Sequence, residues 1–493
     1  MRDAAVYYEN SEKTKGGKVW FLILAVLIFG AVSYGAYFTW KIHTASRKMN
    51  VENKNGSSYI NSVGTIISTV ISPKRKPLEG EESGRINILL LGAAGENWPG
   101  KNLTDTIMIA SIDTENKKAA LLSLPRDLYV DIPATNYSTK INQIYQYGLK
   151  NNEGVELIKK TVENVTGLDI QYFLAVDFEG FKKVINDIGG INITAERDIY
   201  DPRYPGPNYS YEIFELKKGF HHLDGAAALR YARMRHDDPE GDFGRAKRQQ
   251  QVIQAAKNRA FSVQTFLNPV TLNNLLNTLG NHVKTNIGLS EIESFIALSK
   301  EVDTQNITNV VVDAWRKDSL LKGSHLDTGS GWASILVPRV GNFSEVADLA
   351  QNIFDLDALK KRQAEIEKEE ANVAIINQSE DKNLGNKIRE LLKDKLNIKN
   401  VNIVYYQIKP YADGTKVVDN TGGEKIYTLD ELLKKLPAKL GEASGDITDL
   451  KDKYDMVIIL GNDIIKKYSF EEASFEEYNK AEEKEEFELI PNF

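Results

Sequence analysis

Short apolar runs alternate with helical patterns through the first half of the folded part of this chain. Four runs have the length of strands: Ile86–Leu91, Thr106–Ile112, Ala119–Leu124 and Phe173–Val176. The first is apolar at almost every position, which is typical of a strand covered on both faces. Phe178–Ile188 has helical spacing and ends at Gly189-Gly190, a common signal for a helix C-terminus. The pattern predicts an α/β core with its sheet between layers of helices.

A second, smaller α/β pattern covers residues 371–467. It predicts, in order, a strand, a helix, a strand, a helix and a strand: Val373–Ile376, Leu384–Leu396, Val401–Tyr406, Asp430–Leu436 and Met456–Leu460. We expect the charged stretch 351–370 before it to be a solvated helical spacer. The glutamate-rich stretch 468–493 after it is expected to be a flexible acidic tail. The larger domain then covers residues 85–350.

An uncharged apolar segment near the N-terminus has the length of a membrane span. Val19–Trp40 contains 22 residues without a formal charge, and at about 1.5 Å per residue it crosses a hydrocarbon core of about 30 Å. We interpret it as a transmembrane helix rather than a cleaved signal peptide, because its apolar region is long. Residues 1–18 then form a cytoplasmic tail and residues 41–84 a stalk. Basic residues flank both ends, so the flanking charge does not decide the orientation.

Composition argues against several classes of protein. The net charge of −7 argues against a nucleic-acid-binding protein, whose binding domain is normally basic. The 493 residues contain no cysteine, which excludes disulfides, thiolate catalysis and cysteine-ligated zinc. The six histidines include no HExxH arrangement, so zinc-protease chemistry is not expected.

Basic residues are concentrated in two consecutive predicted helices, at 224–236 and 244–261. Six of them fall within 19 positions: Arg230, Arg233, Arg235, Arg245, Lys247 and Arg248. On the second helix, Arg245 and Gln249 share a face with Val252, and that face becomes apolar. We therefore expect it to pack inward, where an arginine needs an anionic partner such as a phosphate. A solvated face balanced by the acidic loop between the helices is the alternative, and spacing alone leaves both open.

Two further polar positions adjoin predicted strands. Arg126 and Asp127 directly follow the run Ala119–Leu124 and one proline, so they lie at the carboxyl end of a strand, where α/β proteins place their ligand sites. Asp105 precedes the run Thr106–Ile112. Its carboxylate either shapes a turn or binds a divalent cation, and the turn is the simpler interpretation.

Taken together, these motifs resemble the LytR-CpsA-Psr family of cell-wall glycopolymer transferases. The matching motifs are Thr104-Asp105-Thr106, Leu124-Pro125-Arg126-Asp127, Lys140-Ile141-Asn142, Ile188-Gly189-Gly190, Leu223-Asp224-Gly225, Ala228–Arg235 and Gly241–Gln249. Their order and approximate spacing agree with the family over residues 85–265. The second unit, 371–467, is similar to a C-terminal domain that is often appended to this family.

The resemblance implies an α/β/α sandwich with a mixed sheet, located outside the membrane, that binds a polyprenyl pyrophosphate in a hydrophobic tunnel. It assigns the pyrophosphate to six side chains: Arg126, Lys140, Arg233, Arg235, Arg245 and Gln249. Arg126, Asp127 and Asp105 become the catalytic candidates, and Asp105 falls where the family binds magnesium. The implied reaction moves a glycan phosphate from the polyprenyl-pyrophosphate carrier onto peptidoglycan or another wall glycan and releases polyprenyl phosphate.

Two positions depart from the family pattern. Ala94 stands where the family usually has a second metal-binding aspartate, and Leu103 where it commonly has an arginine. Glu96 is close enough in sequence to supply the missing oxygen, which makes it a candidate second ligand. These departures leave two alternatives open: a membrane-tethered protein that binds the lipid carrier or wall glycan without turnover, and a phosphatase that uses water in place of the acceptor.

Overall fold

The computed structural model describes residues 76–95, 100, 102–205, 211–234, 238, 240–260, 282–316, 319–329, 331–405, 414–442 and 449–479, and the single residues 44, 274 and 278. Within these ranges, no helix is long and apolar enough to cross a membrane. The predicted transmembrane helix Val19–Trp40 lies outside the described residues, as do most of the predicted stalk and the end of the predicted tail.

The described strands and helices alternate along the chain. In order, the strands are β1 (Arg85–Ala93), β2 (Thr104–Asp113), β3 (Lys118–Leu124), β4 (Tyr129–Asp131), β5 (Ser138–Lys140), β6 (Tyr172–Asp177), β7 (Ile191–Ala195), β8 (Ile199–Pro205), β9 (Tyr211–Leu216), β10 (Gly219–Leu223), β11 (Val283–Thr285), β12 (Asp303–Val311), β13 (Leu321–Asp327), β14 (Trp332–Pro338), β15 (Asn372–Asn377), β16 (Asn400–Ile403), β17 (Lys416–Asp419), β18 (Lys439–Gly441) and β19 (Met456–Leu460). The helices are α1 (Ile141–Lys150), α2 (Glu156–Thr166), α3 (Phe178–Asp187), α4 (Gly225–Arg233), α5 (Gly241–Ala260), α6 (Leu289–Glu301), α7 (Ser344–Gln351), α8 (Leu356–Glu369), α9 (Leu384–Asp394), α10 (Ile426–Lys435) and a 3-10 helix (Asn462–Tyr468).

A six-stranded mixed sheet forms the centre of the first domain, in the order β11-β6-β1-β2-β3-β12. β1 pairs in parallel with β6, and β3 with β12, whereas the remaining neighbours are antiparallel. The four strands predicted in the first half of the chain correspond to β1, β2, β3 and β6. The predicted α/β class with a mixed sheet is confirmed.

Helices cover both faces of this sheet. On one face, Leu89 and Ile107 pack in a cluster with Ile144 of α1 and Ile158 of α2. On the other face, Ile86 of β1 packs with Leu298 of α6. Because β1 contributes apolar side chains to both clusters, its near-continuous apolar run follows from burial on two sides.

The C-terminus of α3 shows why two glycines are required there. Gly189 and Gly190 both adopt a positive φ, 80° and 77°, a conformation that glycine adopts without steric cost. A Cβ on Gly190 would lie 2.5 Å from Nε2 of His222, which belongs to β10. The chain turns tightly here into β7, and α3 packs with α4 and α5 around a separate apolar cluster that includes Ile185 and Val252.

The second domain is a five-stranded sheet in the order β16-β15-β19-β17-β18. β15 is parallel to both β16 and β19, and β17 is antiparallel to β19. One face carries Ile388 of α9 and Leu432 of α10, and the other a smaller cluster that includes Leu450. The five predicted elements are present. The helix at the fourth position starts earlier than predicted, at Ile426, because the Glu369 carboxylate accepts hydrogen bonds from the backbone N–H groups of its first turn.

The predicted spacer, which contains α8, is more tightly attached than a solvated helix. Ile366 is 4% exposed and belongs to the apolar core of the second domain. Arg362 donates hydrogen bonds to Asp430 and Glu431 of α10. One apolar position and one ion-pair network therefore attach this charged helix to the second domain, which its composition does not reveal.

The first part of the predicted tail also packs, in contrast to the expectation of a flexible segment. Residues 469–479 return to the first domain, where Tyr478 is 4% exposed and joins the main apolar core. The aromatic residues among the glutamates explain the difference, because Phe470, Phe475 and Tyr478 supply apolar area that a purely acidic segment lacks.

Candidate functional site

The candidate site lies at one end of the strands of the six-stranded sheet, where β3 ends and β2 begins. This end is here called the sheet edge. The β1–β2 register shifts between Gly92 and Ala93, so that Asp105 projects beside a bulge. Arg126 follows β3 by two residues, and its Nη1 donates a hydrogen bond of 3.1 Å to Oδ1 of Asp105. The sheet edge therefore brings the two polar positions together from separate motifs.

Helix α5 brings Arg245 and Gln249 to the same edge. Arg245 is 6% exposed and Val252, two turns later, is 1% exposed, so the predicted inward face is confirmed. Gln250 holds the helix against the sheet, because its Nε2 donates to Oγ of Ser123 (2.9 Å) and to the carbonyl of Val310 (3.1 Å). These bonds fix α5 across the ends of β3 and β12.

A cavity between α5 and the sheet edge has one polar and one apolar wall. The polar lining side chains are Asp105, Arg126, Arg245, Gln249, Ser123 and Asp313. The apolar wall is formed by Leu124, Val312, Ala314, Trp315 and Leu336. The lining offers guanidinium and amide groups to an anionic head and apolar side chains to an adjoining apolar body. The cavity itself has a volume of about 30 Å³, so a ligand larger than a water molecule enters only if the lining side chains move apart.

Three guanidinium groups act on the carboxylate of Asp105. Burial alone would raise the pKa of Asp105, but the positive charges of Arg126, Arg245 and Arg233 outweigh it and hold the pKa below its usual value. Arg233 itself stacks over the rings of Phe178, at 4.4 Å, and Tyr204, at 5.7 Å. Stacking restricts the guanidinium, so less freedom is lost when it binds an oxygen.

Asp127 and Lys140 lie behind this site rather than on the cavity wall. The Asp127 side chain is 3% exposed, and its carboxylate lies 3.3 Å from Nε of Arg126 and 3.2 Å from Nζ of Lys140. The backbone N–H of Asn142 also donates to the carbonyl of Arg126. Lys140 is thus linked to Arg126 through Asp127, and neither Asp127 nor Lys140 lines the cavity. Contact of Lys140 with a pyrophosphate stays a prediction.

Arg248 has a different environment from Arg245, although both lie on α5. Its guanidinium donates to the carboxylate of Asp238 and to the carbonyls of Met234 and Tyr231. These hydrogen bonds of Arg248 connect the C-terminus of α4 to α5. Arg235 and Glu96, also predicted for the site, lie outside the described residues.

The apolar wall contains residues that sequence reasoning missed. Phe243 lies two residues before Arg245, and Asp313 and Trp315 follow β12, about 190 residues after Arg126 in the chain. A polar residue directly after a buried strand was the available signal for Asp313. Nothing in the local pattern marks Trp315, because the fold alone brings it here.

The family model described as LytR_cpsA_psr matches residues 36–326, more than half of the chain. The chain belongs to the LytR_cpsA_psr family. It is 38% identical over 234 residues to regulatory protein MsrR of Staphylococcus aureus, a match that covers 46% of this chain and 65% of MsrR. It is 33% identical over 296 residues to polyisoprenyl-teichoic acid–peptidoglycan teichoic acid transferase TagV of Bacillus subtilis, covering 58% of this chain and 69% of TagV.

Among solved structures, the crystal structure of Bacillus subtilis TagV aligns with a TM-score of 0.43 and 28% identity. The alignment covers 55% of this chain and 97% of that one. The match to MsrR spans slightly less than two thirds of the MsrR sequence.

Magnesium binding, predicted from the family resemblance with Asp105 as a ligand, has a limited basis in the described residues. They include no group of three or more His, Asp or Glu side chains placed to hold a metal ion. Asp105 is hydrogen-bonded to Arg126, and Ala94 packs in an apolar cluster with Phe178 and Leu229. The described part of this edge does not by itself form a magnesium site, and magnesium binding stays a prediction.

Proposed function

We propose that this chain transfers a phosphate-linked glycan from a polyprenyl-pyrophosphate carrier onto peptidoglycan or another wall glycan, outside the cell membrane to which it is anchored. One observation carries the proposal: the guanidinium groups of Arg126 and Arg245 line one cavity together with Asp105, Gln249 and a set of apolar side chains. The pyrophosphate would bind to Arg126, Arg233, Arg245 and Gln249, and the first isoprene units would lie against the apolar wall. The similarity to TagV, a teichoic acid transferase, supports the same reaction class.

The proposed step is a phosphoryl transfer at the phosphorus next to the sugar. A hydroxyl oxygen of the acceptor glycan forms the new P–O bond, the bond to the bridging oxygen of the pyrophosphate breaks, and polyprenyl phosphate leaves with that electron pair. Guanidinium groups stabilise the charge that spreads over the phosphate oxygens.

Two described carboxylates line the cavity, Asp105 and Asp313. Asp313 is paired with Arg316 and accepts a hydrogen bond from Ser319, whereas Asp105 has a lowered pKa and is ionised at neutral pH. We assign Asp105 to orient the attacking hydroxyl and to take its proton late, as the new P–O bond forms. Asp127 is placed to hold Arg126 in position rather than to meet the acceptor, since it does not line the cavity.

The proposal is tested by a transfer assay with the full-length protein in detergent. A labelled glycan-pyrophosphate-polyprenol is mixed with peptidoglycan fragments, with magnesium or with EDTA. We expect covalent labelling that Arg245→Ala abolishes and that Arg230→Ala retains, because Arg230 pairs with Glu212 on the exposed side of α4. Lipid binding without labelling would instead support a tethered binding protein, and release of glycan phosphate into water would support a phosphatase.

A further inference from the structure

The segment 469–479, here called the strap, runs from the end of the second domain onto the first. Three hydrogen bonds attach its backbone along its length. Lys322 Nζ donates to the carbonyl of Phe470 (2.6 Å), the N–H of Ala473 donates to the carbonyl of Gly323 (2.9 Å), and Oγ of Ser334 donates to the carbonyl of Tyr478 (2.9 Å). All three partners lie on the hairpin β13–β14, so the strap follows this hairpin.

An ion pair adds to these bonds. Both terminal nitrogens of Arg339 donate to the Glu472 carboxylate at 2.8 Å, and Nη2 also reaches the carbonyl of Ala314 at 3.4 Å. The hydrogen bonds from Arg339 hold the pKa of Glu472 below its usual value. Ala314 lines the candidate cavity. The strap is thus linked through one guanidinium to the loop that forms the apolar wall.

The aromatic residues of the strap contact Trp315 directly. The rings of Phe475 and Tyr478 meet the Trp315 ring edge to face, with centroids 5.0 Å and 4.9 Å away. A Cβ on Gly323 would lie 2.5 Å from Cη2 of Trp315 and 3.2 Å from Cδ2 of Tyr478, so the packing leaves no space for a side chain there. The backbone of Trp315 is fixed separately, because its N–H donates to the Asp313 carboxylate at 3.2 Å.

We propose that Phe475 and Tyr478 are positioning residues for the proposed donor site: they hold Trp315 as the apolar wall against which the first isoprene units of the carrier bind. The inference rests on the proposed function and gives the second domain a part in it, namely to present the strap to the first domain. Specificity for a prenyl chain over a bare pyrophosphate then depends on residues about 160 positions after Trp315 in the chain.

The test compares two ligands on the full-length protein: a short prenyl pyrophosphate and inorganic pyrophosphate. In the wild type, we expect tighter binding of the prenyl pyrophosphate. Tyr478→Ala and the milder Phe475→Ala should weaken prenyl pyrophosphate binding by about three- to tenfold, the scale of a lost edge-to-face contact, and leave inorganic pyrophosphate unchanged. Tyr478→Phe, which keeps the ring, should restore the preference.

A double-mutant cycle with Trp315→Ala separates positioning from general destabilisation. Once Trp315 is removed, Tyr478→Ala should have no further effect on the preference. Val162→Ala is the matched control, because Val162 is fully buried in the same core on α2, away from the cavity. It should lower thermal stability without changing the preference.

The outcomes distinguish the two proposals. A wild-type protein that binds neither ligand contradicts the proposed function. A wild-type preference that survives both strap substitutions, or that falls equally in Val162→Ala, overturns the role of the strap and leaves the proposed function standing. Equal losses for the two ligands in Tyr478→Ala also overturn it.

Discussion

Two groups of charges, one at the edge of the first sheet and one where α7, α8 and α10 meet, differ in their arrangement. Where these helices meet, each cation has acidic partners in the protein: Lys435 pairs with Asp348, and Arg362 with Asp430 and Glu431. At the sheet edge, Arg126 and Arg245 line a cavity, and their positive charges, with that of Arg233, lower the pKa of Asp105. The first arrangement joins structural elements, and the second is suited to a ligand.

The difference shows that burial of an arginine does not by itself indicate a binding site. Arg245 and Arg248 are both 6% exposed and lie three residues apart on α5. Arg245 lines the cavity, whereas Arg248 binds Asp238 and two backbone carbonyls. What distinguishes them is the geometry of their surroundings. A buried charge needs a partner of opposite charge, which is either another group of the protein or a ligand.

The largest effect on the transfer rate is expected from substitutions at the sheet edge. Arg126→Ala should lower the transfer rate on the order of 100-fold, the scale of removing one preorganised donor to a developing oxyanion. Arg126→Lys keeps the charge but loses the planar fork that spans Asp105 and Asp127, and should retain an intermediate rate. Rates of labelled glycan transfer measure this. Equal rates for all three proteins would remove the sheet edge from the chemistry.

Substitutions among Lys435, Arg362 and their acidic partners should lower the stability of the protein instead of its transfer rate. Lys435→Met removes a cation whose side chain is 3% exposed and leaves the carboxylates of Asp348 and Glu431 close together. We expect the free energy of unfolding to fall by about 2–3 kcal/mol, as when one partner of a largely buried pair is lost. Denaturant unfolding measures it. A loss of transfer activity in the folded variant would contradict the separation between the two groups.

A smaller effect on stability is expected from a change of pH, because of Glu345 in the same group of charged residues. Burial raises the pKa of Glu345 to about 7, beside Lys435, Glu431, Lys395 and Asp348. Since the folded state binds this proton more tightly than the unfolded state, its contribution to stability falls as pH rises from about 4.5 to about 7.

Replacement of Glu345 by glutamine removes this pH dependence. Glu345→Gln should be more stable than the wild type by about 1–2 kcal/mol at pH 8, with no gain at pH 4.5. Unfolding at both pH values tests the prediction, with Glu367→Gln on the exposed side of α8 as the control. The same gain at both pH values would show that Glu345 is not the titrating group.

The smallest effect is expected at the rim of the cavity. Arg316 is 64% exposed, pairs with Asp313 and lies 5.6 Å from the ring of Phe243. Exposed ion pairs and cation–π contacts contribute less than about 1 kcal/mol. Arg316→Ala should therefore change prenyl pyrophosphate affinity by less than about fivefold. A larger loss would extend the binding cluster beyond the buried guanidinium groups.

The periodicity of the chain was enough to predict the strands β1, β2, β3 and β6, but not the environment of the arginine face. The shared helix face allowed Arg245 and Gln249 either to pack inward or to lie in solvent, and the burial of Arg245 decides for the inward position. The strands depend on neighbours within one element, for which local pattern is informative.

Features that depend on tertiary contacts were not predictable in this way. Trp315 reaches the cavity, and Tyr478 reaches Trp315, through the fold alone. The resemblance placed Lys140 among the pyrophosphate-binding residues, which stays a prediction, and the fold buries Lys140 beside Asp127. Side chains of similar charge differ in role because of partners that are distant in sequence.

Binding of a polyprenyl pyrophosphate to three full-length proteins in detergent tests the central claim most directly: the wild type, Arg245→Ala and Arg362→Ala. Arg245 belongs to the sheet edge and Arg362 to the group of charges where α7, α8 and α10 meet. We expect Arg245→Ala to lose about 1.5–3 kcal/mol of binding free energy, the scale of a hydrogen bond to a charged group, and Arg362→Ala to bind as the wild type does. Equal affinities in all three proteins, or equal losses in both variants, would contradict the account.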